Sequence, residues 1–184
     1  MKSFLWGAVA MIALMVIGGV VFVWSGIYNV AANEPHWGVT FWILGEARER
    51  SVSVHSKDIL PPPLKGQKLV DIGFPYYHAA CRLCHGAPGY SPLEFAQGLY
   101  PKPPIMTSQD VQRELDDREI YWVVKNGLKM TGMPSFGERY RDEEIWGIVT
   151  FLRRLPSMAS EEYPGMVKTV APGQRSEAAS EHGE

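Results

Sequence analysis

Cysteine is scarce in this sequence, since Cys81 and Cys84 are the only two in 184 residues. Two thiols are too few for the disulfide framework of a small secreted domain. The sequence also has no large excess of positive or negative charge. Its net charge is −2 and 21% of its residues are charged, which does not suggest a nucleic-acid-binding protein. The sequence has neither a G-x-S-x-G nucleophile elbow nor a glycine-rich phosphate-binding loop. Hydrolases and nucleotide-binding proteins of those classes are therefore disfavoured.

The sequence does contain the motif Cys81-Arg82-Leu83-Cys84-His85, whose C-x-x-C-H spacing is typical of c-type haem attachment. Two thiols three residues apart lie on one helical turn, so each can add to a haem vinyl group while the histidine lies beneath the iron. The alternatives are a thioredoxin-like dithiol, half of a zinc site, or chance. A dithiol normally lies in an α/β pattern, and zinc needs more cysteine or histidine ligands. We predict one covalently attached haem c.

Residues 1–25 predict a transmembrane anchor. Between Lys2 and the end of this segment no residue is charged, and the apolar run would form a helix about 31 Å long, enough to cross a bilayer. Trp6 and Trp24 stand near its ends, where indoles favour the membrane interface. No further lysine or arginine occurs before Arg48, so the N-terminus is predicted inside and the rest outside. The alternative is a cleaved signal peptide, whose apolar region is usually shorter, about 7–15 residues.

Residues 26–64 are predicted to form a juxtamembrane helix and a stiff proline-rich linker. The helix is expected from Pro35, which suits a first helical position, to about Val54. Its first half is apolar nearly all round and would be covered by lipid headgroups, by another protein, or by the chain's own globular domain. The apolar residues are Trp37, Val39, Phe41, Trp42, Ile43 and Leu44. Three prolines at 61–63 then form an extended boundary.

Residues 65–157 are predicted to form an all-α domain, because helix signals recur and alternating β-branched runs are few. A first helix, about 67–80, leads into the cysteine motif. A second covers about 116–127, from an aspartate N-cap to a glycine C-cap, and a last one covers about 142–155. Residues 158–184 lose periodicity and gain Ala, Ser, Gly and Glu, which predicts a mobile acidic tail.

A second iron ligand is expected from the loop that follows the middle helix. Met133 lies between Gly132, which permits close backbone approach, and Pro134, which restricts the chain. A thioether on such a loop can reach the iron face opposite His85. Met130 is the competitor, and its alternative role is to fill the core. We predict His85 and Met133 as the two metal ligands.

In combination these motifs resemble class I cytochromes c. Gly73 and Tyr77 precede the C-x-x-C-H motif at four-residue intervals, the Gly-Met-Pro sequence follows it, and an aromatic-rich helix ends the domain. The resemblance covers roughly half the chain and implies the compact helical cytochrome c fold around the haem. It also implies that Gly73 and Tyr77 lie where the first and last helices cross, opposite Ile148 and Phe151.

Residues 125–134 also resemble the methionine loop of membrane-bound bacterial cytochrome c subunits of dehydrogenases. Those subunits often carry three haem motifs, whereas this chain has one. The resemblance implies haem attachment beyond the cytoplasmic membrane, and therefore a single-pass protein of the bacterial inner membrane with its haem domain in the periplasm. Lys125, Lys129 and Arg82 are near the ligand-bearing segments and are candidate docking cations at the haem edge.

The function expected from these features is single-electron transfer within a respiratory chain. The donor would be on the quinol or dehydrogenase side, the acceptor would be an oxidase or reductase, and no nucleic acid is involved. No catalytic residue is predicted, because two strong axial ligands leave no open iron position for a substrate. The alternatives are a haem peroxidase or gas-binding sensor with a labile Met133, and a subunit whose haem passes electrons inside a fixed oxidoreductase complex.

Overall fold

The computed structural model describes residues 1–64 and 66–169. Within those ranges all regular elements are helical, and the β-type pairing is an isolated bridge between Ala87 and Tyr90. The elements are α1 (Lys2–Ser25), α2 (Gly38–Ser56), α3 (Gln67–Tyr76), a π-helical turn (Tyr77–Cys81), α4 (Arg82–His85), α5 (Glu94–Gln97), α6 (Gln109–Arg113), α7 (Asp117–Asn126), α8 (Asp142–Arg154), a 3₁₀ turn (Leu155–Ser157) and α9 (Glu162–Thr169). The prediction of an all-α fold is confirmed.

The chain divides into two compact units, and the first covers Met1–His36. Its helix α1 has no buried residue, and it is the one helix in the described part of the chain that is long and apolar enough to cross a membrane. Gly26, in the left-handed conformation at φ 64°, ends the helix. These properties fit a membrane anchor and would equally fit a signal sequence.

The second unit begins at Trp37, and its first helix, α2, differs along its length. The helix begins at Gly38, later than predicted. Its second half packs on α7, because Val52 and Ser56 are buried and the ring centroids of His55 and Trp122 are 5.7 Å apart. The sequence left open whether lipid, another protein or the chain's own domain covers this helix. The chain's own domain covers the second half of α2 only.

Helices α3 and α8 cross with their backbones in contact. A Cβ added to Gly73 would lie 2.0 Å from the carbonyl oxygen of Gly147 and 2.6 Å from the backbone nitrogen of Ile148. Beside this crossing the rings of Tyr77 and Phe151 lie 5.2 Å apart. The expected crossing is therefore present, with Gly147 as the closest partner of Gly73.

The core of the second unit lies around this crossing. Its buried side chains are Val70, Phe74, Tyr77, Cys81, Ala87, Tyr121, Val124, Ile145, Trp146, Ile148, Val149, Phe151, Leu152, Leu155 and Tyr163. Because α8 contributes much of this set and is flanked by the attachment segment and α7, it is the central helix of the unit.

Helix α7 starts with a reciprocal pair of side-chain and backbone hydrogen bonds, whereas α8 starts with only one hydrogen bond between a backbone N–H and a side chain. At α7, the Glu119 N–H donates to Asp116 Oδ1 at 3.0 Å and the Asp116 N–H donates to Glu119 Oε2 at 2.9 Å. At α8 the cap position is Arg141 rather than the expected Asp142, and its N–H donates to Glu144 Oε2 at 2.7 Å. The first turn of α8 is acidic, as expected, but Asp142 is the first residue of the helix and not its N-cap.

The predicted mobile tail needs correction over residues 158–169. Helix α9 lies there, and Tyr163 within it is 0% exposed. Its ring lies 5.4 Å from that of Phe74, and its hydroxyl is 3.0 Å from His78 Nδ1. The segment as a whole has the composition of a tail, so the sequence did not indicate that Tyr163 would be buried. Burial of this one aromatic ring holds the short helix against the domain. Residues 170–184, which the same prediction included, lie outside the described residues.

Candidate functional site

The C-x-x-C-H residues end a helical segment that begins with α3 and passes through the π-helical turn into α4. Pro75 in the last turn of α3 has no N–H for the α-helical pattern, and the wider π turn follows directly. Cys81 and His85 are buried, while Cys84 is half-buried. Gly86, at φ 69°, ends the segment immediately after the histidine.

The His85 ring is held by a backbone carbonyl. Its Nδ1 lies 2.8 Å from Pro104 O, and because a carbonyl oxygen only accepts, Nδ1 carries the proton. The neutral ring then keeps its lone pair on Nε2, the atom that can bind a metal. Burial lowers the pKa of His85, although the hydrogen bond to Pro104 opposes that effect. The role of Pro104 was not predicted; the proline-rich run after Tyr100 was the available signal in the sequence.

Both thiols of the motif are free of disulfide bonds. Burial, with a smaller contribution from Cys84, raises the pKa of Cys81 to about 12, and burial also raises the pKa of Cys84. The two groups are therefore neutral thiols at neutral pH. Reduced thiols one turn apart next to an oriented imidazole are the donor set that haem c attachment needs.

The two candidate methionine ligands of the loop differ clearly in burial. Met133 is partly buried against the same hydrophobic cluster that contains Cys81. Its N–H donates to Thr131 Oγ1 at 3.1 Å, and its carbonyl accepts from the Leu128 N–H at 3.1 Å. Met130 is 79% exposed and has a positive φ of 58°, so it does not fill the core. Of the two thioethers, that of Met133 faces the cluster around the attachment site.

Two glycines allow this loop to lie close to its neighbours. Gly127, the C-cap of α7, has φ 69°, and a Cβ there would lie 2.7 Å from the backbone of Pro134. A Cβ on Gly132 would lie 2.7 Å from Leu99 Cδ1. The close approach expected at Gly132 is therefore present, and its partner is a side chain.

An acidic and aromatic network next to the attachment site was not predicted. Tyr76 donates from its hydroxyl to Glu144 Oε1 at 2.5 Å, and Arg141 Nη2 donates to the same oxygen at 2.8 Å. Burial and this hydrogen bond raise the pKa of Tyr76 to about 12. The ring of Tyr140 lies 4.7 Å from that of Tyr76, tilted by 60°, and burial followed by the nearby Cys81 raises the pKa of Tyr140. The network therefore reaches from α8 to the attachment segment.

Two of the three candidate docking cations already have partners. Lys125 Nζ lies 2.6 Å from Asp142 Oδ1 and contacts the Tyr121 ring, and Asp142 raises the pKa of this lysine. The guanidinium of Arg82 lies 5.1 Å from the centroid of the Tyr90 ring. Lys129 is exposed. These placements leave Lys129 as the strongest of the three candidates.

Other histidines do not form a second metal centre in the parts of the chain described. His36 Nδ1 lies 2.7 Å from the Tyr28 hydroxyl, and His55 Nδ1 lies 2.7 Å from Ser51 O. Within residues 1–64 and 66–169, no group of three or more histidine, cysteine or acidic side chains is placed to hold a metal ion. Outside the attachment site these histidines therefore have local hydrogen-bonding roles.

Comparison with known families agrees with this geometry. Residues 68–152 match the family model described as cytochrome c oxidase, cbb3-type, subunit III. No match was found among curated proteins. The matched segment starts in α3, includes the cysteine motif and the methionine loop, and ends in α8. A cytochrome domain of this kind carries haem c and works by haem-based electron transfer, so this chain is a c-type cytochrome with an N-terminal apolar helix.

Proposed function

We propose that this protein is a membrane-tethered cytochrome c with one covalent haem, carrying single electrons between respiratory-chain partners on the periplasmic side of the bacterial inner membrane. The observation that supports it most is the His85 ring, whose Nδ1–H is committed to Pro104 while two reduced thiols lie on the same helical segment. That arrangement leaves Nε2 as an iron ligand beside two attachment points.

The cofactor-binding residues in this proposal are Cys81, Cys84, His85 and Met133. Haem, when bound, supplies a one-electron couple between ferric and ferrous iron. A methionine ligand favours the ferrous state and raises the potential, and the buried surroundings disfavour the extra charge of the ferric state. If His85 and Met133 both held the iron, no iron position would be open to a substrate, so the role proposed is that of a carrier and not an enzyme.

The proposed location rests on the N-terminal segment. No residue of helix α1 is buried and the helix is long enough to span a bilayer, which supports a retained single-pass anchor. The absence of lysine and arginine between Lys2 and Arg48 supports an orientation with the haem domain outside.

The proposed partners are a quinol- or dehydrogenase-side donor and an oxidase or reductase acceptor. The matched family is named as a subunit of a cytochrome c oxidase, which supports electron exchange with a respiratory complex. Purification in mild detergent separates the two arrangements: a free tethered cytochrome elutes alone, and a fixed subunit elutes with companion chains.

Absorption spectra of the holoprotein test the proposed haem site. We expect haem that stays with the chain after denaturation, and a weak near-infrared sulfur-to-iron band in the oxidised protein. Replacing both cysteines, Cys81→Ser with Cys84→Ser, should remove the covalent haem. A high-spin ferric spectrum with turnover of peroxide would contradict the carrier function and indicate a peroxidase.

The proposed side of the membrane has its own test. Protease added to intact spheroplasts should digest the haem domain while a cytoplasmic control protein stays whole. Digestion only after the membrane is broken would place the domain on the other side.

A further inference from the structure

The first half of α2 carries exposed apolar side chains around most of its circumference, while the face formed by Thr40 and Leu44 is half-buried. The exposed fractions are 59% for Val39, 61% for Phe41, 66% for Trp42 and 52% for Ile43. Because successive residues lie about 100° apart around a helix, these four side chains point in different directions around the axis. No residue from 38 to 45 is charged. Such a concentration of exposed apolar surface marks a binding surface.

The haem domain does not cover this half of the helix, although it holds the other half. Val52 is 3% exposed and Ser56 is 0% exposed against α7. The backbone carbonyl of Lys57, just after the helix, accepts a hydrogen bond from Arg118 Nη1 of α7 at 3.3 Å. The apolar half is thus an extension of a helix that is firmly fixed to the haem domain.

The length of the chain before α2 identifies what lies near this surface. Residues 26–37 join α1 to α2, and an extended chain of that length reaches at most about 40 Å. If α1 crosses the membrane, the start of α2 therefore remains within about 40 Å of the membrane surface. The apolar half includes Trp42 and follows Trp37, and indole rings favour the headgroup region of a bilayer.

We propose that residues 38–45 of α2 insert into the headgroup region of the leaflet from which α1 emerges, an inference that rests on the proposed membrane tether. A groove on a partner protein would cover one face of a helix, whereas immersion of a tilted helix end covers every side. The polar residues that follow, Glu46 to Arg50, pair with one another in water, as the 2.8 Å contact between Arg50 Nε and Glu46 Oε1 illustrates.

This insertion restricts the orientation of the haem domain. Because α2 is fixed to α7, the α7 side of the domain lies toward the membrane. The methionine loop follows directly after α7 ends at Asn126. The loop that carries the candidate iron ligand Met133 is therefore continuous in the chain with the helix that holds α2.

Site-specific photo-crosslinking in native membranes tests the insertion with the full-length holoprotein. The photoreactive residue p-benzoylphenylalanine replaces Phe41, whose phenyl ring it keeps and extends by a benzoyl group. The matched control carries it at Arg48, seven residues later on the same helix face and in the polar half. A third variant carries it at Val16, inside α1, to report on the anchor itself. After illumination, mass spectrometry identifies phospholipid and protein adducts.

We expect phospholipid adducts from position 41 at a yield close to that from position 16 and well above that from position 48. Lipid adducts from position 16 with protein adducts or none from position 41 would overturn the insertion and leave the membrane tether intact. Absence of lipid adducts from both positions 16 and 41 would overturn the tether, and the insertion with it. Equal lipid yields from positions 41 and 48 would overturn the insertion as well, because they indicate non-specific contact.

Discussion

Gly73 of α3 and Gly147 of α8 meet backbone to backbone. A Cβ on Gly73 would lie 2.0 Å from Gly147 O, and one on Gly147 would lie 2.9 Å from Gly73 N. The atoms that block such a Cβ belong to a helix backbone and cannot move aside like the end of a side chain. The crossing brings α8 against the segment that leads into the cysteine motif, so the position of the attachment site depends on both glycines.

Alanine at the crossing should therefore be strongly destabilising. We expect Gly73→Ala to lower the free energy of unfolding of the holoprotein by about 3 kcal/mol or more, because the helices must separate. Gly165→Ala in α9 is the control, since a Cβ there meets nothing within 4 Å. That control should be neutral or stabilising by about 0.5–1 kcal/mol. Chemical denaturation measures both, and equal stabilities would contradict the close crossing.

The axial ligand assignment predicts different effects for the two methionines of the loop. Met133→Ala should abolish the near-infrared sulfur-to-iron band and lower the reduction potential, since the thioether ligand is lost. Met130→Ala should change neither, because that side chain is 79% exposed. Spectroscopy and redox titration of both variants provide the measurement. Loss of the band in the Met130 variant alone would show that the assignment is wrong.

The Glu144 carboxylate should contribute stability that is lost in acid. Burial opposes its ionisation, but hydrogen bonds from Arg141 and Tyr76 prevail and lower its pKa below the ordinary 4.5. A lowered folded-state pKa gives stability that is present above pH 4.5 and lost as pH falls through the folded-state pKa. We expect Glu144→Gln to lower the free energy of unfolding by about 1–2 kcal/mol at neutral pH.

The test is denaturation from neutral to acidic pH, with Glu143→Gln, at the exposed neighbouring position, as the control. The gap between wild type and Glu144→Gln should close as pH falls, and the control should show little gap at any pH. If the difference in unfolding free energy stayed constant down to strongly acidic pH, the substitution would destabilise the protein through altered packing and not through the lost charge.

Helix α9 should stabilise the haem domain through one side chain. Tyr163→Ala should lower the free energy of unfolding by about 3–5 kcal/mol, because it removes a fully buried ring from contact with Phe74. Tyr163→Phe keeps the ring and loses the contact with His78, so it should cost only about 1 kcal/mol. Thermal or chemical unfolding distinguishes the two. A neutral Tyr163→Ala would mean that the helix does not pack on the domain in solution.

Electron transfer to a redox partner should depend on Lys129 more than on Lys125. Lys125 is paired with Asp142 at 2.6 Å, so its charge is already compensated. If a positive surface steers an acidic partner, the rate falls as ionic strength rises. Lys129→Ala should flatten that fall more than Lys125→Ala, as stopped-flow kinetics over a range of salt can measure. A rate independent of salt would instead indicate a permanent complex.

Local signals in the sequence were sufficient for the type of fold and the kind of cofactor. The C-x-x-C-H spacing, the Asp116 cap of α7 and its Gly127 terminus each depend on residues within a few positions of one another. The same holds for the apolar run of α1, whose length alone makes it a candidate membrane span. Interactions of this range follow from chain geometry and local hydrogen bonding, so they can be read before any tertiary contact is known.

Only the tertiary structure decided which distant residues complete the site. The carbonyl of Pro104 accepts a hydrogen bond from the His85 ring, the backbone of Gly147 contacts Gly73, and Asp142 pairs with Lys125. The family resemblance places Gly73 opposite Ile148, next to Gly147, but nothing in the sequence near the members of the other two pairs identifies their partners, because that proximity results from how the helices cross and the loops return. The burial of Tyr163 has the same origin, and for that reason a segment with the composition of a tail forms part of the core.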